Sequence, residues 1–158
     1  MSSAHVITVS DRASAGIIKD ASGPALMDLL RQGGFDVSGP EVVPDNAQLI
    51  SDAITSAASR GSDVVVTTGG TGLGPRDVTP QATAALLDYE VPGISEEMRR
   101  VGTASTPTAA LSRSMAGVHG RTLIINVPGS VKGATESLAA VIPILGHAVQ
   151  LLRGDTPH

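Results

Sequence analysis

The most chemically suggestive part of the sequence is a glycine-rich segment, Thr67-Thr68-Gly69-Gly70-Thr71-Gly72, that follows a run of apolar residues. Glycine lacks a Cβ atom, so successive backbone N–H groups in such a loop can approach an anion closely. A helix predicted to begin near Thr79 would point its positive end at the same place. The segment therefore suits a phosphate group, although a tight strand-to-helix turn would need the same residues.

This glycine segment differs from two familiar nucleotide-binding loops. The Lys-Ser/Thr pair that ends a Walker A loop is missing, and the glycine spacing does not fit the G-x-G-x-x-G dinucleotide fingerprint. The ordinary P-loop and dinucleotide-binding interpretations are therefore excluded. On the glycines alone, phosphate binding and a plain turn both stay open.

Two aspartates, Asp45 and Asp77, each lie shortly after a predicted strand and near the start of a predicted helix. Nucleotidyl transfer needs a divalent cation that bridges phosphate oxygens, and Mg²⁺ in such sites takes one or two carboxylates plus phosphates and water. Asp45 and Gln48 also have the spacing of a helix cap, which on spacing alone is the commoner case. Asp77 precedes the predicted cap Thr79 by two residues, so capping explains it less well.

Two further segments place polar residues beside special backbone positions. Ser112 and Arg113 could hold a phosphate or the edge of a heterocycle, and a polar helix face is the commoner explanation for such a pair. Pro128-Gly129-Ser130 ends a predicted strand in a sharp turn, after which Ser130 could simply cap the last helix. The histidines show no metal-ligand spacing, and no Ser-His-acid arrangement can be assembled from them.

Hydrophobic periodicity predicts the elements that must position these residues. Apolar, β-branched runs predict strands at residues 5–10, 63–68 and 121–127, and another strand is predicted near 36–43, where Pro40 favours an irregular or edge position. Apolar spacing of three and four predicts helices at residues 24–31, 45–58, 79–89, 92–100, 108–116 and 132–152. A kink is expected at Pro143 in the last helix, and the polar segment 11–22 is predicted to be a loop.

Alternation of strands with helices is typical of an α/β fold, here a three-layer α/β/α domain with a mostly parallel central sheet. Ligands of such sheets bind at the carboxyl ends of the strands, where the strand order reverses. Four polar or glycine-rich segments follow the predicted strands, namely Ser10-Asp11-Arg12, Pro44-Asp45-Asn46, residues 69–77 and Pro128-Gly129-Ser130. We therefore expect them to meet at one edge of the sheet.

Composition narrows the class of protein further. A chain of 158 residues has the length of one domain, and it contains no cysteine, which excludes disulfides and thiolate metal sites. The formal charge of −4 and the scarcity of aromatic rings argue against a nucleic-acid surface. No uninterrupted apolar run approaches the roughly 20 residues that span a membrane, and no leader segment is recognisable, so we expect a cytoplasmic protein.

An ordered set of motifs resembles the MoaB/Mog family of molybdopterin-binding proteins. The motifs are Thr8-Val9-Ser10-Asp11-Arg12, Asp20 with Ser22-Gly23-Pro24, Val43-Pro44-Asp45, Thr68-Gly69-Gly70-Thr71-Gly72, Arg76-Asp77-Val78-Thr79-Pro80, Pro92-Gly93-Ile94, Leu111-Ser112-Arg113 and Asn126-Val127-Pro128-Gly129-Ser130. Each motif is weak by itself, whereas their order is specific. The resemblance implies a single domain of this fold over residues 4–153, a flexible tail at 154–158, and a homotrimer, with hexamers in some members.

The same resemblance implies an activity. The family includes molybdopterin adenylyltransferases, which use Mg²⁺ to join AMP from ATP to molybdopterin, releasing pyrophosphate, and a molybdenumtransferase partner then consumes the product. Essential acidic residues of the family correspond to Asp45 and Asp77, which favours a catalytic and metal-binding role for Asp45 over capping. The substrate-binding residues that it implies are Ser10, Asp11, Gly69, Gly70, Thr71, Gly72, Ser112, Arg113, Pro128, Gly129 and Ser130.

In the mechanism that we expect, the terminal phosphate of the pterin attacks the α-phosphorus of ATP. The glycine loop and the Pro128–Ser130 turn would hold the nucleotide, and Ser112 and Arg113 would contact the pterin. One alternative is a protein of the MoaB branch that binds the pterin with little or no transferase activity; the presence of Asp45 and Asp77 argues against it. Another is a molybdenumtransferase or CinA-type protein, and these are longer and carry additional domains.

Overall fold

Six strands form one mixed sheet in the computed structural model, which describes residues 1–155. The strands are β1 (Ser3–Val9), β2 (Asp36–Val43), β3 (Val64–Thr68), β4 (Tyr89–Glu90), β5 (Ala116–His119) and β6 (Thr122–Val127). Their order across the sheet is β2-β1-β3-β6-β5-β4. Strands β2, β1, β3 and β6 run parallel, and β5 and β4 add an antiparallel edge. The predicted mostly parallel sheet is confirmed, and Pro40 lies on an edge strand.

Helices cover both faces of this sheet. They are α1 (Asp11–Ser14), α2 (Ser22–Gln32), α3 (Ala47–Ser59), α4 (Thr79–Ala84), α5 (Pro92–Ser105) and α6 (Val131–Arg153), with a 3₁₀ turn at Pro107–Leu111. Apolar residues of α2, α5 and α6 form one core cluster with the sheet, and those of α3 and α4 form another. The predicted three-layer α/β/α architecture is therefore confirmed.

Strand β3 shows how the sheet supplies both cores. Val64 and Val66 lie in the cluster beneath α2, α5 and α6, whereas Val65 lies in the cluster beneath α3 and α4. All three side chains are fully buried. Burial of one such side chain contributes about 1.5–3 kcal/mol. A continuous run of valines is therefore stable as an interior strand covered on both faces.

Helix capping differs from the prediction at two helices. Asn46 rather than Asp45 caps α3, because its Oδ1 accepts a hydrogen bond from the Leu49 backbone N–H at 3.0 Å. Thr79 is the first residue of α4 and makes no capping hydrogen bond. Ser130 caps α6 as predicted, with its Oγ accepting from the Gly133 N–H at 3.0 Å. Asp45 is thus free of the capping role that its spacing favoured.

Several element boundaries differ from the periodicity. The helix predicted to reach Tyr89 ends at Ala84, and a 3₁₀ turn and strand β5 replace the helix predicted at residues 108–116. The predicted loop at residues 11–22 contains α1, and α5 continues to Ser105, past its predicted end at Arg100. The sequence pattern does not predict β4 and β5, because these short strands depend on pairing that begins at β6.

Helix α6 is long and apolar enough to cross a membrane by length and composition alone. In the structure it packs on the sheet, with Leu138, Val141 and Leu145 fully buried in the core. The helix continues through Pro143 to Arg153, and its C-cap, Gly154, adopts the left-handed conformation. From residue 156 onward, the tail predicted at 154–158 lies outside the described residues.

Candidate active site

The carboxyl ends of β1 and β3 meet where the strand order changes direction, and a cavity of about 310 Å³ opens there. Such switch points are where α/β sheets bind ligands. The lining includes the predicted site residues Ser10, Asp45, Gly69, Gly70, Asp77 and Gly129. Loops that are far apart in the sequence are therefore brought to one cleft.

A second cavity, of about 430 Å³, adjoins the first and shares Gly70, Asp77 and Gly129 with it. Its other predicted site residues are Thr71, Gly72, Ser112, Pro128 and Ser130. The two cavities together are lined by every residue proposed for the site from the sequence except Asp11 and Arg113. The cleft thus has two compartments that meet along the glycine loop.

The glycines at the start of this loop are required by close packing. Gly69 and Gly70 have φ angles of +104° and +69°, in the left-handed region that favours glycine. A Cβ atom on Gly69 would collide with the Val9 carbonyl oxygen. A Cβ atom on Gly70 would collide with the Thr79 Oγ1 and lie 3.1 Å from Asp45 Oδ1. The turn itself therefore requires glycine at both positions, and phosphate binding by this loop stays a prediction.

Three consecutive backbone N–H groups of the loop are free to bind a ligand. The N–H of Gly69 donates to the Val127 carbonyl at 3.1 Å and so belongs to the scaffold. Within residues 1–155, by contrast, no acceptor takes the N–H of Gly70, Thr71 or Gly72. Buried or half-buried N–H groups need a partner, and a row of them in a glycine loop is the usual means of holding phosphate oxygens.

Asp45 lies in the first cavity and is tied to Asp11 by a reciprocal pair of hydrogen bonds. The Asp11 N–H donates to Asp45 Oδ2, and the Asp45 N–H donates to Asp11 Oδ1, each at 3.0 Å. Burial raises the pKa of the Asp45 carboxyl above its ordinary value; the Asp11 N–H partly offsets this, and the charges of Asp11 and Asp77 raise it further. Asp45 is therefore a partly desolvated carboxylate in the field of two others.

Asp11 itself is occupied by protein donors. Arg76 donates from Nε to Asp11 Oδ2 at 2.6 Å and from Nη2 to Asp11 Oδ1 at 3.1 Å. The hydrogen bond from Arg76, supported by the backbone N–H of Asp45, lowers the pKa of the Asp11 carboxyl. The substrate contact expected of Asp11 stays a prediction, and the structure shows its carboxylate in contact with Arg76 and outside both cavity linings.

Asp77 closes the glycine loop on its far side. Its Oδ2 accepts a hydrogen bond from the Gly74 N–H at 2.9 Å, and its own N–H donates to the Gly74 carbonyl at 3.0 Å. Asp77 Oδ1 has no hydrogen-bond partner in the described part of the chain and belongs to a residue that lines both cavities. One carboxylate oxygen therefore stays available at the junction of the two compartments.

Asp45 and Asp77 are two side chains of the cleft that could hold Mg²⁺. Both carboxylates line the first cavity and lie within each other's electrostatic field. Among residues 1–155 there is no group of three or more His, Cys, Asp or Glu side chains that could hold a metal. A cation here would accordingly receive two carboxylates at most, which matches a metal that completes its shell with phosphate and water oxygens.

Arg113 holds the loop through hydrogen bonds to its backbone carbonyls. Its Nε donates to the Gly72 carbonyl at 2.9 Å, its Nη2 donates to the Asp77 carbonyl at 2.8 Å, and its Nη1 donates to Gln81 Oε1 at 3.1 Å. Ser112 instead lines the second cavity, where its Oγ donates to Ser114 Oγ at 2.9 Å. The two neighbours therefore have different surroundings, and their expected contact with a pterin stays a prediction.

Sequence reasoning missed a polar group on the other wall of the first cavity. Thr8 Oγ1 donates to Asp20 Oδ2 at 2.7 Å, and the Gly23 N–H donates to Asp20 Oδ1 at 3.1 Å at the start of α2. Thr8, Lys19, Asp20, Ser22 and Thr68 all line this cavity. The motif Asp20 with Ser22-Gly23-Pro24 was the available signal, but nothing in its spacing places it near the glycine loop.

A buried polar network forms the floor beneath the loop. Asn126 Nδ2 donates to Thr67 Oγ1 at 2.9 Å and to Thr83 Oγ1 at 3.0 Å, so that β6, β3 and α4 are joined side chain to side chain. All three residues are fully buried. Hydrogen bonds in so dry a place hold their partners rigidly. The network therefore fixes α4, and with it the preceding segment that carries Asp77.

Comparison with known proteins agrees with this geometry. A family model described as "Probable molybdopterin binding domain" matches residues 5–147. A molybdopterin adenylyltransferase of Helicobacter pylori is 40% identical over 156 residues, covering 95% of this chain and 87% of that protein. A molybdenum cofactor biosynthesis bifunctional protein of Synechococcus elongatus is 40% identical over 151 residues, and this chain spans about half of its length, 47%.

Solved structures show the same fold. The molybdopterin biosynthesis enzyme MoaB from Thermus thermophilus is 51% identical, superposes with a TM-score of 0.92, and is matched over 98% of each chain. At that identity and coverage the likeness extends well beyond the bare fold. With the family model matching nearly all of the sheet and its loops, the chain belongs to the MoaB/Mog family of molybdopterin-binding proteins.

Proposed function

We propose that this protein transfers AMP from ATP to molybdopterin, giving adenylyl-molybdopterin and pyrophosphate in the biosynthesis of molybdenum cofactor. The observation that carries the proposal is the row of N–H groups at Gly70, Thr71 and Gly72, none of which has an acceptor among residues 1–155. This row lies beside two cavity-lining carboxylates, Asp45 and Asp77, where two compartments meet. The name and 87% coverage of the Helicobacter pylori relative support the same activity.

The reaction needs little acid–base chemistry from the protein. An oxygen of the terminal phosphate of molybdopterin attacks the α-phosphorus of ATP, and the bond from that phosphorus to the bridging oxygen of the β-phosphate breaks, releasing pyrophosphate. The attacking phosphate is ionised at neutral pH, so no general base has to remove a proton. Catalysis is then mainly alignment of the two phosphates and stabilisation of charge.

The residues of the cleft divide these tasks between them. The N–H groups of Gly70, Thr71 and Gly72 bind phosphate oxygens, and the turn at Pro128–Ser130 holds the nucleotide. Asp45 and Asp77 would hold Mg²⁺, which neutralises charge on the phosphates and the departing pyrophosphate. Ser112, on the wall of the second cavity, contacts the pterin side, and Arg113 keeps the loop in place.

Assembly and partners follow the family. We propose a homotrimer, with a hexamer as the alternative, formed by one domain over residues 4–153 and working in the cytoplasm. The bifunctional protein of Synechococcus elongatus, of which this chain spans about half, supports a link to a second activity in the same biosynthesis. A molybdenumtransferase that consumes the adenylylated pterin is the partner that we expect.

The direct test is to incubate the protein with molybdopterin, ATP and Mg²⁺ and to look for adenylylated pterin and pyrophosphate. We expect both products, in equal amounts. The competing function is that of a protein of the MoaB branch that binds the pterin with little or no transfer. Pterin binding with no product from the wild-type protein would establish that second function instead.

Substitution of Asp77 separates chemistry from binding. Asp77→Asn should abolish transfer while leaving pterin binding largely intact, because the amide keeps the loop acceptor for Gly74 but no longer carries the charge that attracts a cation. Removal of an outer-shell partner of a metal site costs roughly 10–100-fold in activity, so removal of a ligand should cost more. The control is Asp52→Asn on the exposed side of α3; equal loss of transfer and binding in Asp77→Asn would indicate a structural role.

A further inference from the structure

Arg76 joins the loops that follow β1, β2 and β3. Its guanidinium holds both oxygens of Asp11, at 2.6 and 3.1 Å, and its Nη2 also donates to the Asp45 carbonyl oxygen at 3.1 Å. Asp11 is 65 residues away from Arg76 and Asp45 is 31 residues away. A single side chain therefore ties together three segments that meet only in the folded protein.

Arg76 and Asp11 leave the Asp45 carboxylate with one orientation. Asp45 Oδ2 accepts the Asp11 N–H and the Asp45 N–H donates back to Asp11, each at 3.0 Å. Asp45 Oδ1 is then directed to the glycine loop, 3.1 Å from the position that a Cβ atom on Gly70 would occupy. One oxygen of Asp45 is thus used to fix the side chain, and the other faces the free N–H groups.

The charges in this group would repel one another without Arg76. The carboxylates of Asp11 and Asp45 each accept a hydrogen bond from the backbone N–H of the other residue, and Asp77 lines the same cavity as Asp45. Both oxygens of Asp11 are engaged by the fork of Arg76, a geometry that lysine cannot reproduce. Asp45 and Asp77 therefore remain as the carboxylates that are open to a cation, while Asp11 is neutralised.

We propose that Arg76 is a positioning residue, which acts through Asp11 to hold the Asp45 carboxylate beside the glycine loop. This inference rests on the transferase function proposed above. It replaces substrate contact as the role of Asp11, because the carboxylate of Asp11 serves Arg76 and the Asp45 backbone. Outer-shell partners of this kind orient a ligand and affect activity without touching the substrate.

The ordinary alternative is a surface ion pair with no consequence for the site. The protein contains a matched example, in which Arg100 donates from Nε and Nη2 to Glu97 at 2.9 and 2.6 Å within α5. Its side chain is 70% exposed, against 68% for Arg76. Arg100→Gln is therefore the control for loss of an exposed arginine–carboxylate fork.

The experiment compares Arg76→Gln, Arg76→Lys, the double variant Arg76→Gln/Asp11→Asn and Arg100→Gln in the full-length protein. Transfer kinetics, Mn²⁺ binding to the substrate-free protein and hydrogen exchange at the Asp11 and Asp45 amides are measured for each. We expect Arg76→Gln to lower kcat about 10–100-fold, to change KM for ATP much less, and to weaken Mn²⁺ binding. Exchange at both amides should accelerate, and the melting temperature should fall by less than about 4 °C.

Comparison of the double variant with Arg76→Gln tests whether Arg76 acts through Asp11. Asn at position 11 removes the unneutralised charge but keeps an oxygen that can accept the Asp45 N–H, so kcat and Mn²⁺ binding should recover roughly tenfold from Arg76→Gln. Arg76→Lys should fall between wild type and Arg76→Gln, and Arg100→Gln should match wild type. Unchanged amide exchange in Arg76→Gln, or a double variant no better than the single, would overturn the proposal.

Failure of this proposal is distinguishable from failure of the transferase function. A wild-type protein that binds pterin and forms no product would remove the proposed function alone. The amide exchange rates and Mn²⁺ binding would still decide whether Arg76 positions Asp45, because neither measurement requires turnover.

Discussion

At the scale of single residues, neighbouring carboxylates of the cleft are placed in opposite environments. Arg76 lowers the pKa of Asp11, whereas burial, together with the charges of Asp11 and Asp77, raises the pKa of Asp45. Environments that shift the pKa values of neighbouring carboxyl groups in opposite directions are typical of functional sites. Because the Asp45 carboxylate is partly desolvated, a bound cation would stabilise its negative charge.

The raised pKa of Asp45 predicts a pH-dependent gain in stability for Asp45→Asn in metal-free protein. Between the ordinary pKa of 3.8 and the raised value, the folded state holds a proton that the unfolded state has lost, so ionisation of Asp45 lowers stability as pH rises. Asp45→Asn removes this penalty. Its melting temperature in the presence of a chelator should exceed that of wild type at pH 7, and the difference should shrink as the pH falls through this window.

Thermal unfolding from pH 7 to pH 3 measures this effect, with Asp52→Asn as the control because Asp52 lies exposed on α3. The control should show no such pH-dependent gain. A lower melting temperature for Asp45→Asn at pH 7 would contradict the prediction and would mean that hydrogen bonds to Asp11 outweigh the burial of charge.

At the scale of elements, the loop between β3 and α4 is both scaffold and binding surface. The Gly69 N–H donates to the Val127 carbonyl, and Arg113 holds the Gly72 and Asp77 carbonyls. The N–H groups of Gly70, Thr71 and Gly72 have no acceptor in the described residues. The loop is therefore fixed at both ends and keeps three donors open between them. Donors that are already in place need no rearrangement of the loop when an anion binds.

Gly70→Ala tests the loop as a unit. Left-handed backbone costs a non-glycine residue about 1–2 kcal/mol, and a Cβ atom here would also displace Thr79 and Asp45. We expect Gly70→Ala to lose at least this much stability and to lower transfer by roughly 100-fold, as for a misplacement on the order of 1 Å. Gly34→Ala is the control, because its φ of +91° also lies in the left-handed region but nothing lies within 4 Å of the added Cβ atom.

Urea denaturation and steady-state transfer assays compare the two variants. Gly34→Ala should lose about 1–2 kcal/mol with full activity. If Gly70→Ala were as active as Gly34→Ala, the close approach of Gly70 to Thr79 and Asp45 would have no part in function.

At the scale of the whole molecule, two cores on opposite faces hold one sheet, and the cleft lies at the edge where the parallel strands end. Helix α6 contacts both the larger core and the cleft. Its N-terminus, capped by Ser130, borders the second cavity, and its middle fills the larger core through Leu138, Val141 and Leu145. Packing of this helix therefore bears on the position of the Pro128–Ser130 turn.

Substitution within α6 tests that it is a core helix rather than a membrane span. Leu138 is 0% exposed and Leu151 is 43% exposed on the same helix. Leu138→Ala should lower the free energy of unfolding by about 2–5 kcal/mol, and Leu151→Ala by about 0.5 kcal/mol or less. Chemical denaturation at a fixed protein concentration measures both; equal losses would show that the face of α6 bearing Leu151 is covered in an assembly.

The sequence alone determined the features that repeat or that depend on local chemistry. The valine run at residues 64–66 predicts an interior strand because only a sheet covered on both faces buries every side chain of it. Ser130 predicts a helix cap because its hydroxyl can satisfy a backbone N–H three residues on. The order of motifs predicted the family, and with it the α/β/α fold and the pair Asp45 and Asp77.

Only the tertiary structure decided which side chains touch. It assigned the α3 cap to Asn46, brought Arg76 to Asp11 across 65 residues, and placed Asp20 in the same cavity as Gly69 and Gly70. It also added β4 and β5 beside β6. These outcomes depend on distances between segments that no local pattern encodes. They arise only after the parallel strands align and bring their following loops to one edge of the sheet.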